Sequence, residues 1–188
     1  MTRCSWCENN ELYVKYHDEE WGVPVHEDKK HFEFPILEIA QAGLNWLIVL
    51  RKRENYRKAY DNFDPVKIAK YDDNKINQLM NDPGIIRNQR KIEASVNNAK
   101  RFLDIKERFG SFDSYIWSFV DNKPVINSWR SDSEIPSTTE LSDMISNDLK
   151  KRGFKFIGST IIYAHMQAIG IVNDHIVNCF RYNQLIKA

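Results

Sequence analysis

The stretch Lys150–Gln167, KKRGFKFIGSTIIYAHMQ, decides how this chain is read. It has the pattern of two helices joined by a glycine-bracketed hairpin. Upstream, Leu141, Met144, Ile145 and Leu149 recur at helical spacing, so one face of that segment is apolar. Ser137 and Glu140 stand at capping-box spacing, and Gly153 is a natural C-terminal stop after Lys150, Lys151 and Arg152. Downstream, Ser159 is expected to cap a second helix with Ile162, His165 or Met166, and Ile169 along its apolar stripe. Gly158, Ser159 and Thr160 would then offer backbone N–H groups at a positive helix end, which suits an anion such as a phosphate. Phe154, Phe156 and Ile157 are expected to pin the turn to the body while Lys155 points outward. An ordinary helical hairpin with a basic end has the same pattern, so the rest of the chain must decide.

With 188 residues, the chain is long enough to bury a core as one domain or two small lobes. No window approaches the run of about 20 apolar residues that spans a bilayer. Met1–Asn10 has no apolar signal-peptide core, and a cytosolic location is expected. Three cysteines, Cys4, Cys7 and Cys179, are too few for a disulfide framework, so metal-ligand or free-thiol roles come first. A net charge of +1 argues against coating nucleic acid by bulk attraction. Basic residues nevertheless cluster at Arg51–Arg53, Arg57-Lys58, Arg87, Arg90-Lys91 and Lys150–Lys155. On a shared face they would meet a few phosphates.

Nearly every segment reads helical. Asp28 is placed to cap a helix through Ala42, with Pro35 inside the pattern and expected to break or kink it. Leu44–Tyr60, Asp64–Lys70 and Asn74–Met80 follow, then the long Arg87–Phe109 and the short, aromatic Ser111–Val120. Val125–Pro136 reads as a loop. The fold class is all-α.

Two clusters carry chemistry. His175 and Cys179 lie on one helix face within reach of a single metal, and Cys4 and His17 are candidates for two further ligands. Cys4-x-x-Cys7 is a competing first pair. Four protein ligands would make the site structural, with no open position for catalysis. The second cluster is aromatic and acidic. Trp6, Tyr13, Tyr16, Trp21 and Trp46 crowd the first quarter of the chain, together with Glu38. A carboxylate among Ile36, Leu37, Ile39 and Ala40 needs a partner. The cluster suits stacking of a planar, electron-poor ring with the carboxylate at its polar edge. The alternative is that the rings are core and Glu38 faces solvent.

These residues in this order resemble the DNA-3-methyladenine glycosylase I family, bacterial base-excision enzymes of the helix-hairpin-helix glycosylase superfamily. The resemblance spans nearly the whole chain. It rests on Arg3–Trp6, Tyr16–Pro24, Gln41–Trp46, Asp82–Arg87, Lys150–Thr160 and Val172–His175. It implies a two-lobed helix-hairpin-helix glycosylase fold over residues 1–188, with the hairpin at about 138–170. It also implies one structural zinc, held by Cys4, His17, His175 and Cys179, that ties the two termini together. The base pocket would be Glu38, Tyr16 and Trp46, with Trp6, Tyr13 and Trp21 around them. Gln41, Gly43 and Leu44 would fill the gap left by a flipped nucleotide, and Gly153, Lys155, Gly158, Ser159 and Thr160 would clamp a phosphate. The implied partners are alkylated double-stranded DNA and free 3-methyladenine as product, with a monomer in the bacterial cytoplasm. Cys7 stands outside the family's ligand set and is expected to be a spare thiol.

The implied chemistry agrees with the residues. Methylation at N3 leaves the adenine cationic, so the glycosidic bond is weak and the base leaves neutral. The protein's task is then to find, flip and hold the lesion, with Glu38 as the residue on which recognition turns. Many superfamily relatives carry an aspartate for water attack where this chain has Asn173, with Asp174 displaced by one. Lyase-active relatives carry a lysine where this chain has Ser159 and Thr160. A monofunctional enzyme is expected. The rival readings are a non-catalytic, metal-stapled DNA-binding module and a metal-dependent nuclease.

Overall fold

The computed structural model describes residues 1–187 and is mostly helical. Ten α-helices run in order: α1 Glu11–Glu19, α2 Asp28–Gln41, α3 Trp46–Ala59, α4 Pro65–Ile68, α5 Asp73–Met80, α6 Gln89–Phe109, α7 Phe112–Trp117, α8 Glu140–Lys151, α9 Ser159–Ala168 and α10 Phe180–Lys187. The only strands among the described residues are β1 Val125–Ile126 and β2 Val172–Asn173, paired in parallel. β1 and a short turn of helix at Asp132–Glu134 lie inside the segment expected to be loop.

Helix α2 is the centre of the fold. Phe32, Phe34, Ile36, Leu37, Ile39 and Ala40 are all buried, which places apolar residues around the whole cylinder rather than on one stripe. It packs against α3, α6, α7 and α9. Three ionisable side chains, His31, Glu33 and Glu38, are buried with it, and each is met by another helix. His31 Nε2 lies 3.0 Å from Asp113 of α7, Arg53 and Arg57 of α3 donate to Glu33, and His165 of α9 faces Glu38. The expected break at Pro35 is absent. The helix runs unbroken through it, held by neighbours on every side. Asp28 does not cap the helix either. It is the first helical residue, and its carboxylate accepts from Asp113 N–H at 3.0 Å and pairs with Lys106 at 2.9 Å.

The α8–α9 hairpin forms as expected, with corrections at its ends. Thr139, not Ser137, caps α8. Its hydroxyl accepts from Ser142 N–H, and Ser142 Oγ accepts from Thr139 N–H in place of the anticipated Glu140. Gly153 closes α8 at φ +88°, a backbone region costly for any residue with a Cβ. Gly158, not Ser159, is the N-cap of α9, while Ser159 Oγ bonds Ser142 Oγ at 2.7 Å and lashes the two helix starts together. Phe154 and Ile157 are buried as expected, but Phe156 is 41% exposed, its φ of 56° turning the ring outward. Lys155 is exposed. The hairpin is bolted to α6 by Asn98, whose side chain donates to Lys155 C=O and accepts from Lys155 N–H, at 2.9 and 2.8 Å.

Candidate active site and metal centre

A cavity of about 420 Å³ opens where α1, α2, α3 and α9 converge. Trp6, Tyr13, Tyr16, Trp21, Trp46 and Glu38 all line it, so the structure unites the whole aromatic and acidic set expected from the sequence. Tyr16 and Trp46 lie 5.6 Å apart between ring centroids, at 56°, while Trp6 meets Trp21 edge-on at 5.1 Å. Tyr13 works at two levels. It lines the wall, and its hydroxyl donates to Asn45 and accepts from Leu47 N–H, fixing the start of α3 that carries Trp46.

Glu38 is 3% exposed, so the alternative of a solvent-facing carboxylate fails. Its carboxylate faces one side chain, His165, whose Nδ1 lies 3.4 Å from Oε1 and 3.2 Å from Oε2, and the indole Nε1 of Trp46 is buried without a hydrogen-bond partner among the described residues. Such groups are costly unless a ligand or water satisfies them. One acceptor and one donor between aromatic faces suit a planar ring with polar edges. Burial, then the charges of Glu38 and Glu20, push the Tyr16 hydroxyl well above its ordinary value and keep it protonated.

Sequence reasoning missed the opposite wall. Asp132, Ile135, Pro136 and Ser137 come from the expected loop, and Thr160, Tyr163, Ala164 and Gln167 from α9. Thr160 was placed with the phosphate clamp and here also lines the cavity. Asp174 is the anchor of this wall. Its buried carboxylate accepts from Asn127, Trp129, Tyr163 and Gln167 at 2.5–2.8 Å, which ties the 125–136 segment to α9. With four donors it has no lone pair left for activating water.

Gln41 ends α2 at the cavity rim, and the chain then turns sharply through Gly43 at φ +79° to Leu44, which is 40% exposed. Lys91 fastens this corner by donating to the carbonyls of Ala40 and Ala42 at 2.9 and 2.7 Å. Much of the basic charge seen in the sequence is likewise engaged internally. Arg53 pairs with Glu20 and Glu33, Arg57 with Glu33 and Glu54, and Arg152 with Asp148.

The second cluster also assembles, although His175 and Cys179 stand on a turn before α10 and not on a helix face as expected. Ligand atoms of Cys4, His17, His175 and Cys179 lie within 4.8 Å of one another, all four residues buried. His17 Nε2 and His175 Nδ1 are 3.2 Å apart; Cys179 Sγ lies 3.4 and 3.5 Å from those two nitrogens, and Cys4 Sγ lies 3.7 Å from His175 Nδ1. A tetrahedral ion with bonds of about 2.05 Å to nitrogen and about 2.3 Å to sulfur requires edges of about 3.3 and 3.6 Å. The donor set therefore fits a tetrahedral metal. The outer ring nitrogens are oriented as such ligands require: His17 Nδ1 faces Asp18 at 2.8 Å and His175 Nε2 faces Trp21 C=O at 2.9 Å. The contact between the two sulfurs pushes the Cys4 thiol above its usual value and draws Cys179 below it. Cys7 lies outside the cluster, its thiol donating to Cys4 C=O. Trp6 and Trp21 pack against His17, and Trp21 against His175, so the cluster braces the cavity wall.

Fold and site together define a helical protein with an aromatic, acidic pocket and a metal-capable staple joining its two ends. Methyladenine glycosylase is the family whose sequence profile matches, over residues 6–182. DNA-3-methyladenine glycosylase 1 of Escherichia coli strain K12 is 48% identical over 182 residues, covering 97% of each chain. A crystal structure of 3-methyladenine DNA glycosylase I superposes with a TM-score of 0.92 at 47% identity, over 95% of this chain and 98% of that one. A variant of a 3-methyladenine DNA glycosylase I, solved in complex with 3-methyladenine, matches with a TM-score of 0.92 at 34% identity, over 96% and 97%. The chain belongs to the methyladenine glycosylase family, enzymes that hydrolyse N-glycosyl bonds.

Proposed function

We propose that this chain is a monofunctional repair glycosylase that flips 3-methyladenine out of alkylated double-stranded DNA and hydrolyses its glycosidic bond, leaving an abasic site. The observation that carries the reading is the buried Glu38 carboxylate, met by no side chain but His165, on a cavity walled by aromatic faces. In the nucleotide the methylated base is cationic. Tyr16 and Trp46 stack on it, Trp6, Tyr13 and Trp21 complete the wall, and the Glu38 carboxylate accepts from its amino edge and stabilises its charge. As water attacks C1′, the electron pair of the glycosidic bond passes to the base, which leaves neutral and needs no acid. Glu38 thus acts by recognition and electrostatics, and Asp174 as a strut.

The α8–α9 hairpin is read as the phosphate clamp of a helix-hairpin-helix fold of two lobes. Backbone N–H groups of Gly158, Ser159 and Thr160, unpaired within the helix, would hold the anion beside Gly153 and Lys155. Gln41, Gly43 and Leu44 would occupy the gap left in the duplex. The tetrahedral cluster would hold one structural zinc, which supplies folding energy and no catalytic step. The pocket-lining side chains include no lysine, which supports hydrolysis without lyase chemistry. A monomer of the bacterial cytoplasm is the setting this reading implies. No described helix is long and apolar enough to cross a membrane.

Incubation with N-methylated duplex DNA tests the proposal. Free 3-methyladenine and an intact, alkali-labile backbone are expected. A cut backbone without free base would point to a nuclease, and binding without product to a non-catalytic module.

A further inference from the structure

His165 lies on α9 behind Glu38, outside the residues that line the cavity, and is 2% exposed. Its Nδ1 is 3.4 Å from Glu38 Oε1 and 3.2 Å from Oε2, while its Nε2 has no partner among the described residues. A neutral imidazole facing a carboxylate carries its proton on the facing nitrogen. We propose that His165 is the positioning residue for Glu38: its Nδ1–H holds the carboxylate from behind and leaves the remaining lone pairs for the bound base. This rests on the reading of Glu38 as the acceptor at the base edge.

The reason is the cost of a bare charge. A carboxylate buried this deeply and given no donor is left unpaired, a cost that a facing N–H offsets while it fixes the orientation of the group. No other described side chain hydrogen-bonds to Glu38. The Arg53 guanidinium is engaged elsewhere, bonded to Glu20 and Glu33 at 2.7–2.9 Å. The titratable groups around the pair are few. His31, on the same helix as Glu38, senses His165 but is pushed down to about 4 by burial and stays neutral. Tyr16 stays protonated, and Glu20 and Arg53 act on it with opposite signs.

The test replaces His165 in the full-length, metal-loaded protein and follows 3-methyladenine binding by tryptophan fluorescence. His165→Leu removes the donor, His165→Asn keeps an amide N–H where Nδ1 stands, and His165→Gln moves it to the Nε2 position. Leu and Gln should weaken binding about tenfold or more, while Asn restores most of it. In a Glu38→Gln background, His165→Leu should add nothing, because no charge remains to be held. Should Leu fail to fold, the contrast between Asn and Gln decides. Wild-type binding by Leu or Gln, equal weakness of Asn and Gln, or additivity with Glu38→Gln would overturn the role. Weakened Glu38→Gln beside an unaffected His165→Leu would overturn the positioning alone, whereas unaffected Glu38→Gln would remove the reading of Glu38 and this inference with it.

Discussion

Glu38 sits in an apolar run, and its neighbours in sequence explain its burial but not its use. Glu38→Gln keeps the shape and removes the charge. A buried charged hydrogen bond contributes about 1.5–3 kcal/mol, so base affinity should fall about ten- to a hundred-fold. Fold and metal content should hold, because neither depends on that side chain. Titration of the purified variant with 3-methyladenine checks this, and unchanged affinity would mean that stacking alone recognises the base. His31 makes a second prediction. Burial depresses its pKa to about 4 from an ordinary 6.5, only partly offset by its bond to Asp113. The folded state therefore binds fewer protons than the unfolded chain below pH 6.5. The stability this neutral ring allows is present above that value and is lost as pH falls through 4, by roughly 3 kcal/mol. His31→Gln should flatten the fall in urea midpoint between those pH values. An equally steep fall in the variant would place the acid sensitivity elsewhere.

At the scale of elements, the α8–α9 hairpin depends on α6 for its shape. Asn98→Ala leaves both the N–H and the C=O of Lys155 without their partner, at a cost of about 1–3 kcal/mol. Lower thermal stability and weaker duplex binding should appear together, with free-base binding preserved. Gly158→Asp isolates the clamp itself. Its φ is ordinary and a Cβ there meets open space, so the substitution should leave the fold intact while setting a negative charge among the N–H donors. Duplex affinity should fall for every sequence, as measured by anisotropy, with 3-methyladenine binding unchanged. An equal loss of both would show that the hairpin belongs to the pocket. Gly170 is the contrary case. Its φ is +74° and a Cβ would stand 2.5 Å from the backbone of Val23 and Pro24, so the chain tolerates no side chain there.

For the whole molecule, the metal-capable cluster links Cys4 and His17 with His175 and Cys179, closing nearly the full length of chain into one loop. Because Trp6 and Trp21 pack on its histidines, loss of the ion should loosen the pocket as well as the termini. Elemental analysis should find about one zinc per chain. Cys179→Ser or a strong chelator should remove metal and lower the melting temperature together, whereas Cys7→Ser should retain the metal. A metal-free protein of full stability would refute the structural role.

The amino-acid sequence by itself determined what is local or written in long motifs: the helices, the Gly153 stop, the aromatic and acidic set, and the four members of the metal-capable cluster. Helical periodicity and turn chemistry act over a few residues, and so they are legible without the fold. Tertiary structure alone decided the partners. That His165 faces Glu38, that Asp174 is filled by four donors, that Arg53 and Arg57 serve Glu33, and that the 125–136 segment walls the pocket all follow from helix packing between positions far apart in sequence. Pro35 and Asp28 show the same limit from the other side. Their local preferences pointed to a break and a cap; packing of α2 against four neighbouring helices outweighs the one backbone bond lost at Pro35, and Asp113 N–H and Lys106 engage the Asp28 carboxylate instead.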